Sequence, residues 1–280
     1  MARGFIKKKD ARSVLLVDGL NLAFRWKHSG AKEFVQEYIN TVRSLANSYS
    51  CGKIIIAADM GSSTWRKNVF PDYKANRAEM RAEQTEKEKQ DFTEFIEEFE
   101  RCLLDMEHIE QWPVLRYQGV EADDIAAYVC KYKLNLGIEK VWLISTDRDW
   151  DLLLTPTINR FSYINRKETT MDNWNDRYDF APEEYITFKC LTGDKGDNVP
   201  GIAGIGPVRA TSIMNDYGSV FDIYDSIPIE GKAKFIQNLN ANADQLLTNV
   251  ELMDLLTYCD EVLEGHTEDL TSKVTEYMNL

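Results

Sequence analysis

Residues 13–18 read SVLLVD, a short apolar run that ends on a carboxylate. Two later segments have the same form: residues 53–59 read KIIIAAD, and residues 141–147 read VWLISTD. Apolar runs of this length, bounded by polar residues, are typical of buried strands. We therefore predict three buried strands, each of which is followed by an aspartate.

A helix is predicted between the first two strands. Apolar side chains recur at helical spacing over residues 33–49, which indicates a crossover between parallel strands. Parallel strands bring their carboxyl ends to one edge of a sheet, where the ligands of open α/β sheets bind. We predict an α/β fold with a mostly parallel central sheet flanked by helices, and we expect Asp18, Asp59 and Asp147 to share one site.

Length, charge and composition limit the function. The 280 residues allow one large domain with a lobe, and the formal net charge of −13 argues at first against a polyanionic partner. Five cysteines without a CxxC pair and three scattered histidines argue against a disulfide framework or a zinc site. No apolar stretch reaches the ~18 residues that span a bilayer. Residues 1–10 lack the apolar part of a signal peptide, so we expect a cytoplasmic protein, in a bacterium or a phage-infected host, without membrane contact.

Residues 74–110 contain neither Gly nor Pro and are rich in Glu, Lys, Ala and Arg, which predicts one long helix. Its first half, residues 75–91, is almost entirely polar and is expected to be solvated, whereas apolar residues over 92–106 indicate a docked half. Further on, Pro182 is predicted to open a helix that runs to residue 191. A second helix is predicted from Pro207 and several short helices over residues 219–280.

Nine acidic residues lie at predicted element ends: Asp18, Asp59, Glu121, Asp123, Asp124, Asp147, Asp149, Asp194 and Asp197. Any one of them could be a helix cap or a turn residue. Several are only two or three residues apart, which suits a shared cation better than mutual repulsion. Carboxylates are hard ligands that suit Mg²⁺ or Mn²⁺, and this number of them predicts two ions. Two such ions can activate water and stabilise the leaving oxygen in phosphodiester cleavage.

A glycine-rich turn, PGIAGIGP, occupies residues 200–207 between two predicted helices. Gly201, Gly204 and Gly206 permit a tight turn, and the amides at the start of the following helix favour a phosphate. Alone, the turn could be an ordinary interhelical connection. The GDKGDN string at residues 193–198 strengthens its interpretation as part of a site.

Five strings occur together in one order: VDGLN (17–21), FPDYKANR (70–77), GVEADD (119–124), ISTDRDWDLL (144–153) and GDKGDNVPGIAGIGP (193–207). With these strings the chain resembles the flap endonuclease and 5′-3′ exonuclease family. The resemblance is strongest to the single-domain bacteriophage 5′ nucleases, which are related to the nuclease domain of bacterial DNA polymerase I. It covers roughly residues 14–210.

The resemblance implies a PIN-like 5′-nuclease fold with a mixed sheet. Residues 1–180 would form the metal-binding core, including a helical arch at about 74–110. Residues 181–280 would form a helical lobe with a helix-hairpin-helix at about 182–217. The implied activity is cleavage of DNA near branched or free 5′ ends during replication, as flap endonuclease and 5′-3′ exonuclease. The implied cofactors are two Mg²⁺ or Mn²⁺ ions, with K⁺ at the hairpin.

The resemblance also implies roles for particular residues. Asp18, Asp59, Glu121, Asp123 and Asp124 would form the first metal set, and Asp147, Asp149, Asp194 and Asp197 the second. Lys74 and Arg77 would contact the phosphates near the cleaved bond. The further DNA contacts would be Arg25, Tyr73 as a stacking ring, Gly201, Gly204, Gly206 and Arg209. Solvated surface is the competing interpretation for the basic residues and for Tyr73.

Two positions depart from the family pattern. Arg148 stands between two of the acidic residues where many relatives have Gly. Val208 follows the glycine turn where relatives often have Lys, so Arg209 is the first basic residue there.

The expected partner is branched or 5′-flap DNA with duplex and single-stranded parts, bound by a monomer, with replication proteins as further partners. Two alternatives remain at this stage. One is a catalytically weakened branched-DNA-binding protein of the same fold. The other is an acidic metal-dependent phosphatase that acts on small molecules.

Overall fold

The structure, a computed structural model, describes residues 9–280. Residues 1–8, on which part of the expectation about targeting rests, lie outside the described residues. Within the described chain six strands form one sheet in the order β3-β2-β1-β4-β5-β6. The strands are β1 (Asp10–Asp18), β2 (Cys51–Ala57), β3 (Val114–Leu115), β4 (Lys140–Ile144), β5 (Ile158–Ser162) and β6 (Lys167–Thr169).

The sheet is mostly parallel, as predicted. β1 lies in the middle and pairs in parallel with β2 and β4, and β3 and β5 extend the parallel order on either side. Within this six-stranded sheet, as described over residues 9–280, only β6 runs antiparallel, at the edge beside β5. The three strands predicted from apolar runs are confirmed as β1, β2 and β4, and their carboxyl ends meet at one edge of the sheet.

The uniformly apolar sequence of β1 is explained by burial on both faces. Val14 and Leu16 pack into one apolar cluster, and Leu15 and Val17, which point the other way, pack into a second. All four side chains are fully buried. A strand in the middle of a parallel sheet is covered on both sides, so it shows a continuous apolar run rather than alternation.

The helices before β4 are α1 (Gly19–Ser29), α2 (Val35–Ser48), α3 (Thr64–Val69), α4 (Ala75–Ala82), α5 (Glu86–His108) and α6 (Ala122–Lys131). The crossover helix predicted over residues 33–49 is confirmed as α2. The helix α1, which begins directly after Asp18, was not predicted. Together with α2 and α5 it covers the face of the sheet that carries Leu15 and Val17.

The single long helix predicted over residues 74–110 is wrong, because the chain breaks between α4 and α5. Thr85 caps α5: its side chain accepts a hydrogen bond from the amide of Glu88, and Glu88 Oε2 accepts one from the amide of Thr85 at 2.8 Å. This reciprocal pair is a capping box, which starts a helix at a defined residue. Its signature, TEKE at residues 85–88, is visible in the sequence.

The C-terminal part of the chain is helical. Its helices are α7 (Tyr185–Thr192), α8 (Pro207–Tyr217), α9 (Val220–Asp225), α10 (Lys234–Ala241), α11 (Ala243–Met253), α12 (Leu255–Val262) and α13 (Thr267–Asn279). The predicted start of a helix at Pro207 is confirmed. Pro182 instead opens a short 3-10 turn, Pro182–Glu184, and α7 follows it.

The C-terminal helices and the sheet share one apolar core. The cluster that contains Val14 and Leu16 continues through α6 to Leu246 and Leu263 in the helical lobe. Between α7 and α8 a short ladder pairs β7 (Gly193–Asp194) with β8 (Val199–Pro200). Across residues 9–280, no helix combines the length and the apolar character that crossing a membrane requires.

Candidate active site

The ends of the three central strands carry acidic side chains that face one another. Asp18 is the last residue of β1, Asp59 follows β2, and Asp147 follows β4. The Ser145 hydroxyl donates to Asp18 Oδ2 at 2.7 Å and accepts from the amide of Asp147 at 3.0 Å. Burial raises the pKa of Asp18 well above its usual range, and the nearby charges of Asp59 and Asp147 raise it further.

The first turn of α6 adds two more carboxylates to this edge. Glu121 lies at the start of the helix, and its Oε1 accepts from the amide of Ser63 at 3.2 Å. Asp59 Oδ1 accepts from the amide of Ala122 at 2.7 Å, which ties the end of β2 to α6. Asp123 is half-buried, and its pKa is well above the usual range because of desolvation and because of the charges of Asp147 and Asp18.

The indole of Trp150 holds Asp123 in place. Its Nε1 donates to Asp123 Oδ1 at 2.6 Å, and the Trp150 side chain is fully buried. A buried indole N–H needs an acceptor, and here the acceptor is a member of the acidic group. The orientation of Asp123 is therefore fixed from below by the core.

Asp124, unlike Glu121 and Asp123, has both carboxylate oxygens occupied by an arginine. Arg66 donates to both of its oxygens, at 2.8 and 2.7 Å, and the Asp124 residue is only 1% exposed. The Nε of Arg66 donates to the carbonyl of Leu252 at 2.8 Å. The structure thus places Asp124 in a buried ion pair with α3 that is linked to the helical lobe, rather than facing Asp18 and Asp123.

A second acidic group gathers around Lys189, a residue that the sequence analysis missed. The Lys189 ammonium pairs with Asp149 and lies 3.2 Å from Asp194 Oδ2. Burial raises the pKa of Asp149 to about 6, with Lys189 opposing and Asp147 adding to the shift. A lysine inside the apolar helix YITFKCLT was the available signal, because a buried lysine is almost always paired.

Asp197 connects this acidic group to the start of α4. Arg77 donates to Asp197 Oδ1 at 2.7 Å, and the Tyr73 hydroxyl donates to Asp197 Oδ2 at 3.0 Å. The Lys74 ammonium lies 2.8 Å from Glu121 Oε2 and 3.6 Å from Asp197 Oδ2. Two cations therefore lie directly beside the carboxylates, as the FPDYKANR string suggested.

The stacking role expected for Tyr73 is corrected by its burial. The residue is only 3% exposed, and its single hydroxyl proton is shared between Glu121 Oε2 at 2.9 Å and Asp197 Oδ2 at 3.0 Å. A ring with no exposed face cannot stack on a base. Tyr73 instead holds two carboxylates from different parts of the chain in a fixed relation.

Lys74 remains charged in this setting. Burial alone lowers the pKa of its ammonium, but the charges of Glu121 and Asp197 outweigh burial and raise the pKa above its ordinary value. Arg77 is more accessible, with 47% of its side chain exposed.

Arg25 and Arg209 are the other two basic residues predicted to contact DNA. Arg25 is exposed on α1, and its guanidinium lies 5.5 Å from the centre of the Trp26 ring. Arg148, which departs from the family pattern, is exposed between Asp147 and Asp149. Arg209 donates to the carbonyl of Gly204 and lies over the ring of Phe235 at 4.7 Å.

At two of the three glycines of the turn, Gly201 and Gly204, the backbone leaves no room or no suitable conformation for another residue. A Cβ at Gly201 would lie 2.3 Å from the carbonyl carbon of Thr192, and Gly204 has a φ of +86°. Gly206 has ordinary backbone angles and open space around it.

We call the carboxylates at the strand ends and at the start of α6 the acidic edge; they are Asp18, Asp59, Glu121, Asp123 and Asp147. The acidic edge has the chemistry of a site for hard cations. Among residues 9–280 no three His, Cys, Asp or Glu side chains are arranged as a ready metal site. Lys74 and Lys189 lie among the carboxylates and pair with them. Burial is the main cause of the raised pKa of Asp18 and Asp123, and the charges of neighbouring carboxylates raise both further. Divalent cations would relieve the repulsion between these charges, and carboxylate oxygens are the ligands they prefer. The residues present therefore fit the two-ion expectation.

A parallel sheet with carboxylates at its carboxyl edge, flanked by α4 and α5 and followed by a glycine turn between helices, defines the class of 5′ nucleases. Two family models match this chain: "5'-3' exonuclease, N-terminal resolvase-like domain" over residues 13–179, and "5'-3' exonuclease, C-terminal SAM fold" over residues 180–277. The chain belongs to the 5′-3′ exonuclease family, which also contains flap endonucleases.

Individual relatives agree with this assignment. The flap endonuclease of Escherichia phage T5 is 40% identical over 97% of this chain and 95% of its own length. A crystal structure of the bacteriophage T5 flap endonuclease, in a pseudo-enzyme-product complex with DNA and metal ions, matches with a TM-score of 0.91 and 38% identity over 96% of this chain and 100% of that one. DNA polymerase I of Bacillus subtilis is 28% identical over 89% of this chain, which spans 28% of that longer protein.

Proposed function

We propose that this chain is a structure-selective 5′ nuclease that hydrolyses DNA near branched or free 5′ ends, with Mg²⁺ or Mn²⁺ as cofactor. The observation that carries the proposal is the convergence of carboxylates from the ends of three parallel strands and from α6, of which Asp18 and Glu121 are buried, with Lys74 and Arg77 directly beside them. The T5 relative, whose structure contains DNA and metal ions, supports it.

We propose eight of the nine predicted carboxylates as metal ligands. Asp18, Asp59, Glu121 and Asp123 would hold the first ion, and Asp147, Asp149, Asp194 and Asp197 the second. When bound, the ions would supply an activated water and neutralise charge on the reacting phosphate. Asp124 is assigned instead to its ion pair with Arg66, because both of its oxygens are already engaged.

Two basic side chains bind the substrate phosphates, and a third holds the carboxylates. Lys74 gives up its contact with Glu121 and binds the phosphate at the cleaved bond, where negative charge grows in the transition state. Arg77, exposed and 2.7 Å from Asp197, binds the adjoining phosphate. Lys189 neutralises Asp149 and Asp194 and keeps both carboxylates pointed at the site.

The duplex would be held by the lobe. The turn at residues 201–207 leads into α8, where the first-turn amides of Val208 and Arg209 have no helical acceptor and can bind phosphate. The carbonyls of Ala203 and Gly204 already accept from Asn238 and Arg209. A K⁺ ion at this turn would have to share those oxygens, so our assignment of the turn rests on its amides.

The two parts of the chain would have separate tasks. Residues 1–180 would carry out the cleavage, with arch helices α4 and α5 flanking the single strand, and residues 181–280 would hold the duplex. Arg25 would contact DNA at the outer side of α1, where its side chain is exposed. All the groups invoked come from one chain, so a monomer suffices, and branched DNA with free 5′ ends is a product of replication.

The test is cleavage of a labelled 5′-flap duplex. We expect product with Mg²⁺ and none with EDTA. Asp147→Asn should lower the cleavage rate at least about 100-fold while binding persists, because the amide keeps the shape but loses the charge. Asp172→Asn, a substitution away from the acidic edge, is the control.

Binding without cleavage in Mg²⁺ would instead identify a DNA-binding protein of this fold. Hydrolysis of small phosphate esters that duplex DNA does not inhibit would identify a phosphatase.

A further inference from the structure

Arg160 is a fully buried arginine in the middle of β5. It lies on the same face of the strand as Ile158, because alternate residues of a strand point the same way. Ile158 belongs to the apolar cluster that also contains Trp150. A charged side chain is almost never fully buried unless other groups bond to it. The groups that bond to Arg160 therefore have to lie inside the protein, next to this core.

One of these groups is the carboxylate of Asp151, which is only 2% exposed. The Nε and Nη2 of Arg160 donate to the two oxygens of Asp151, so the ion pair has two parallel hydrogen bonds. Asp151 also accepts from the hydroxyl of Tyr178 at 2.6 Å. It lies in a 3-10 helix, Asp149–Leu153, whose first residue is Asp149. The ion pair thus attaches β5 to the helix that begins with Asp149.

The second group is a backbone carbonyl at the end of β4. The Nη1 of Arg160 donates to the carbonyl of Ser145 at 3.0 Å. Ser145 is the first residue after β4 and is fully buried, so its carbonyl needs a donor. The hydroxyl of the same residue donates to Asp18 and accepts from the amide of Asp147. The position of Ser145 therefore affects carboxylates that come from two strands.

Arg160 consequently holds both ends of one short loop, residues 145–151. It bonds the first residue of this loop through a carbonyl and the last through a carboxylate. Asp147 and Asp149 lie between these two points. They are also tied to each other, because Asp147 Oδ1 accepts from the amide of Asp149 at 2.9 Å. Releasing either end of the loop would move both aspartates.

Stability alone does not explain a buried ion pair at this place. Taking two charges out of water costs free energy, and replacing a buried ion pair by apolar residues of similar size is often neutral or stabilising. Apolar side chains cannot, however, donate to the carbonyl of Ser145. The planar guanidinium has five N–H donors in a fixed arrangement, so it can bond a carboxylate and a carbonyl at the same time.

We propose that Arg160 is a positioning residue for the cations of the site: it holds the loop at residues 145–151 so that Asp147 and Asp149 are placed before any cation binds. The assignment rests on the proposed 5′-nuclease function and adds a buried residue to it. Because Arg160 is fully buried, it contacts neither DNA nor the reacting phosphate and acts only through the loop.

The test separates the placement of the loop from the stability of the fold. Arg160→Met with Asp151→Leu replaces the ion pair by apolar side chains and removes the donor to Ser145. The control is Ile39→Ala, which removes a buried apolar side chain from α2, in the other apolar cluster of the sheet. Truncation of this kind lowers stability without touching the loop. Urea denaturation measures the stability of each variant.

Hydrogen exchange with mass spectrometry in EDTA measures the loop without metal or DNA. We expect the exchange rate of residues 146–151, relative to that of β1, to rise about tenfold in the double variant, the effect of one lost hydrogen bond on local opening. In Ile39→Ala this ratio should equal that of the wild type. An unchanged ratio in the double variant, or an equal rise in both variants, would overturn the proposal.

Titration with Mn²⁺ alone by calorimetry measures the cation site. Residues that orient metal ligands are worth about 10- to 100-fold in metal affinity, so we expect the Kd for Mn²⁺ to rise by that factor in the double variant only. Cleavage of the 5′-flap duplex should then need correspondingly more Mg²⁺. The DNA concentration at half-maximal rate should not change, because Arg160 does not touch DNA.

Arg160→Lys is a second variant that does not depend on folding of the double variant. It keeps a positive charge beside Asp151, but a single ammonium nitrogen replaces the planar fork and cannot bond Asp151 and Ser145 in the same geometry. We expect the same direction of change in loop exchange and in Mn²⁺ affinity. Wild-type values for both measurements in this folded variant would contradict the role of Arg160.

Failure of this proposal is distinguishable from failure of the proposed function. If the wild type neither binds Mn²⁺ nor cuts the flap in Mg²⁺, the 5′-nuclease proposal fails. If the wild type does both, and the Arg160 variants match Ile39→Ala in loop exchange and Mn²⁺ affinity, then Arg160 serves only the fold.

Discussion

Trp150 carries one polar atom, and that atom is bonded to Asp123. Trp150→Phe removes the 2.6 Å hydrogen bond and keeps most of the buried ring. Groups that orient a metal ligand are typically worth about 10- to 100-fold in metal affinity, so we expect the Mg²⁺ concentration for half-maximal cleavage to rise by that factor. Mn²⁺ titration by calorimetry provides a second measurement that does not depend on cleavage.

Trp174 provides a matched control for this prediction. It is equally buried, and its Nε1 donates to the carbonyl of Phe180 at 2.6 Å, away from the carboxylates. Trp174→Phe should lower the free energy of unfolding and leave the response to Mg²⁺ unchanged. If both variants shift the response equally, then Trp150 only supports the fold.

Lys189 supplies the positive charge between Asp149 and Asp194. Lys189→Met leaves Asp149 and Asp194 without their cation, and breaking a buried ion pair costs about 3–5 kcal/mol. We expect the melting temperature in EDTA to fall and added Mg²⁺ to raise it more than in the wild type. Differential scanning calorimetry measures both, with exposed Lys167→Met as control. An equal effect of Mg²⁺ on both proteins would contradict a role for Lys189 beside a cation site.

The break between α4 and α5 is maintained by the capping box at Thr85, which starts α5. Thr85→Ala removes the side-chain half of the capping box, which costs about 1 kcal/mol. The first turns of α5 are exposed, so we expect the loss to be local: faster amide exchange over residues 86–89 and an unchanged melting temperature. Hydrogen exchange with mass spectrometry measures the first, and calorimetry the second.

Ser219 provides the comparison, because it forms the same kind of capping box with Asp222 at the start of α9. There the following residues Val220 and Ile223 are buried in the core. Ser219→Ala should therefore lower the melting temperature of the whole protein. A global loss from Thr85→Ala, or a purely local loss from Ser219→Ala, would contradict this account of the two helices.

The sequence predicted the elements that short-range patterns determine. The strands β1, β2 and β4 were predictable because each is a run of apolar residues that ends on an aspartate, and parallel strand ends must meet. The start of α8 was predictable from Gly206 and Pro207. The break at Thr85 was missed because residues 74–110 contain neither Gly nor Pro and favour helix throughout. The capping-box sequence TEKE at residues 85–88, which marks the start of a new helix, was not used.

What could not be predicted depends on contacts between distant residues. Arg66 meets Asp124 across 58 positions, Lys189 meets Asp149 across 40, and Trp150 meets Asp123 across 27. None of these pairs lies within the reach of helical or strand periodicity. The nine carboxylates could be named from the sequence, but the cations and the indole that hold them depend on tertiary packing.

At the scale of the whole molecule, Arg66 joins the sheet to the lobe. Arg66→Met leaves Asp124 buried and unpaired and removes the contact with Leu252, so we expect a loss of about 3–5 kcal/mol in the free energy of unfolding. Urea denaturation measures it. Replacing both partners, Arg66→Met with Asp124→Leu, should restore most of the loss.

The double variant also tests the assignment of Asp124. If Asp124 serves only this ion pair, the folded double variant should keep the Mg²⁺ dependence of the wild type in flap cleavage. A large rise in the Mg²⁺ requirement would return Asp124 to the metal ligands.

The charge of the whole chain is unevenly distributed. Residues 1–78 carry 14 basic and 6 acidic side chains, although the formal net charge of the chain is −13. The basic excess includes Lys67, Lys74 and Arg77, which line the cavity between the arch helices and the acidic edge. The overall charge therefore does not argue against a polyanionic substrate, because part of the acidity lies at the edge where cations would bind.

The continuous core beneath the sheet and the lobe has a geometric consequence. The glycine turn at residues 201–207 and the acidic edge are both attached to that core, so the span between them is set by packed side chains. A duplex that contacts both would be held at a fixed distance from the acidic edge. The number of base pairs between the branch and the cut would then depend on how the sheet and the lobe pack together. Loosening that packing would produce cuts at several neighbouring positions.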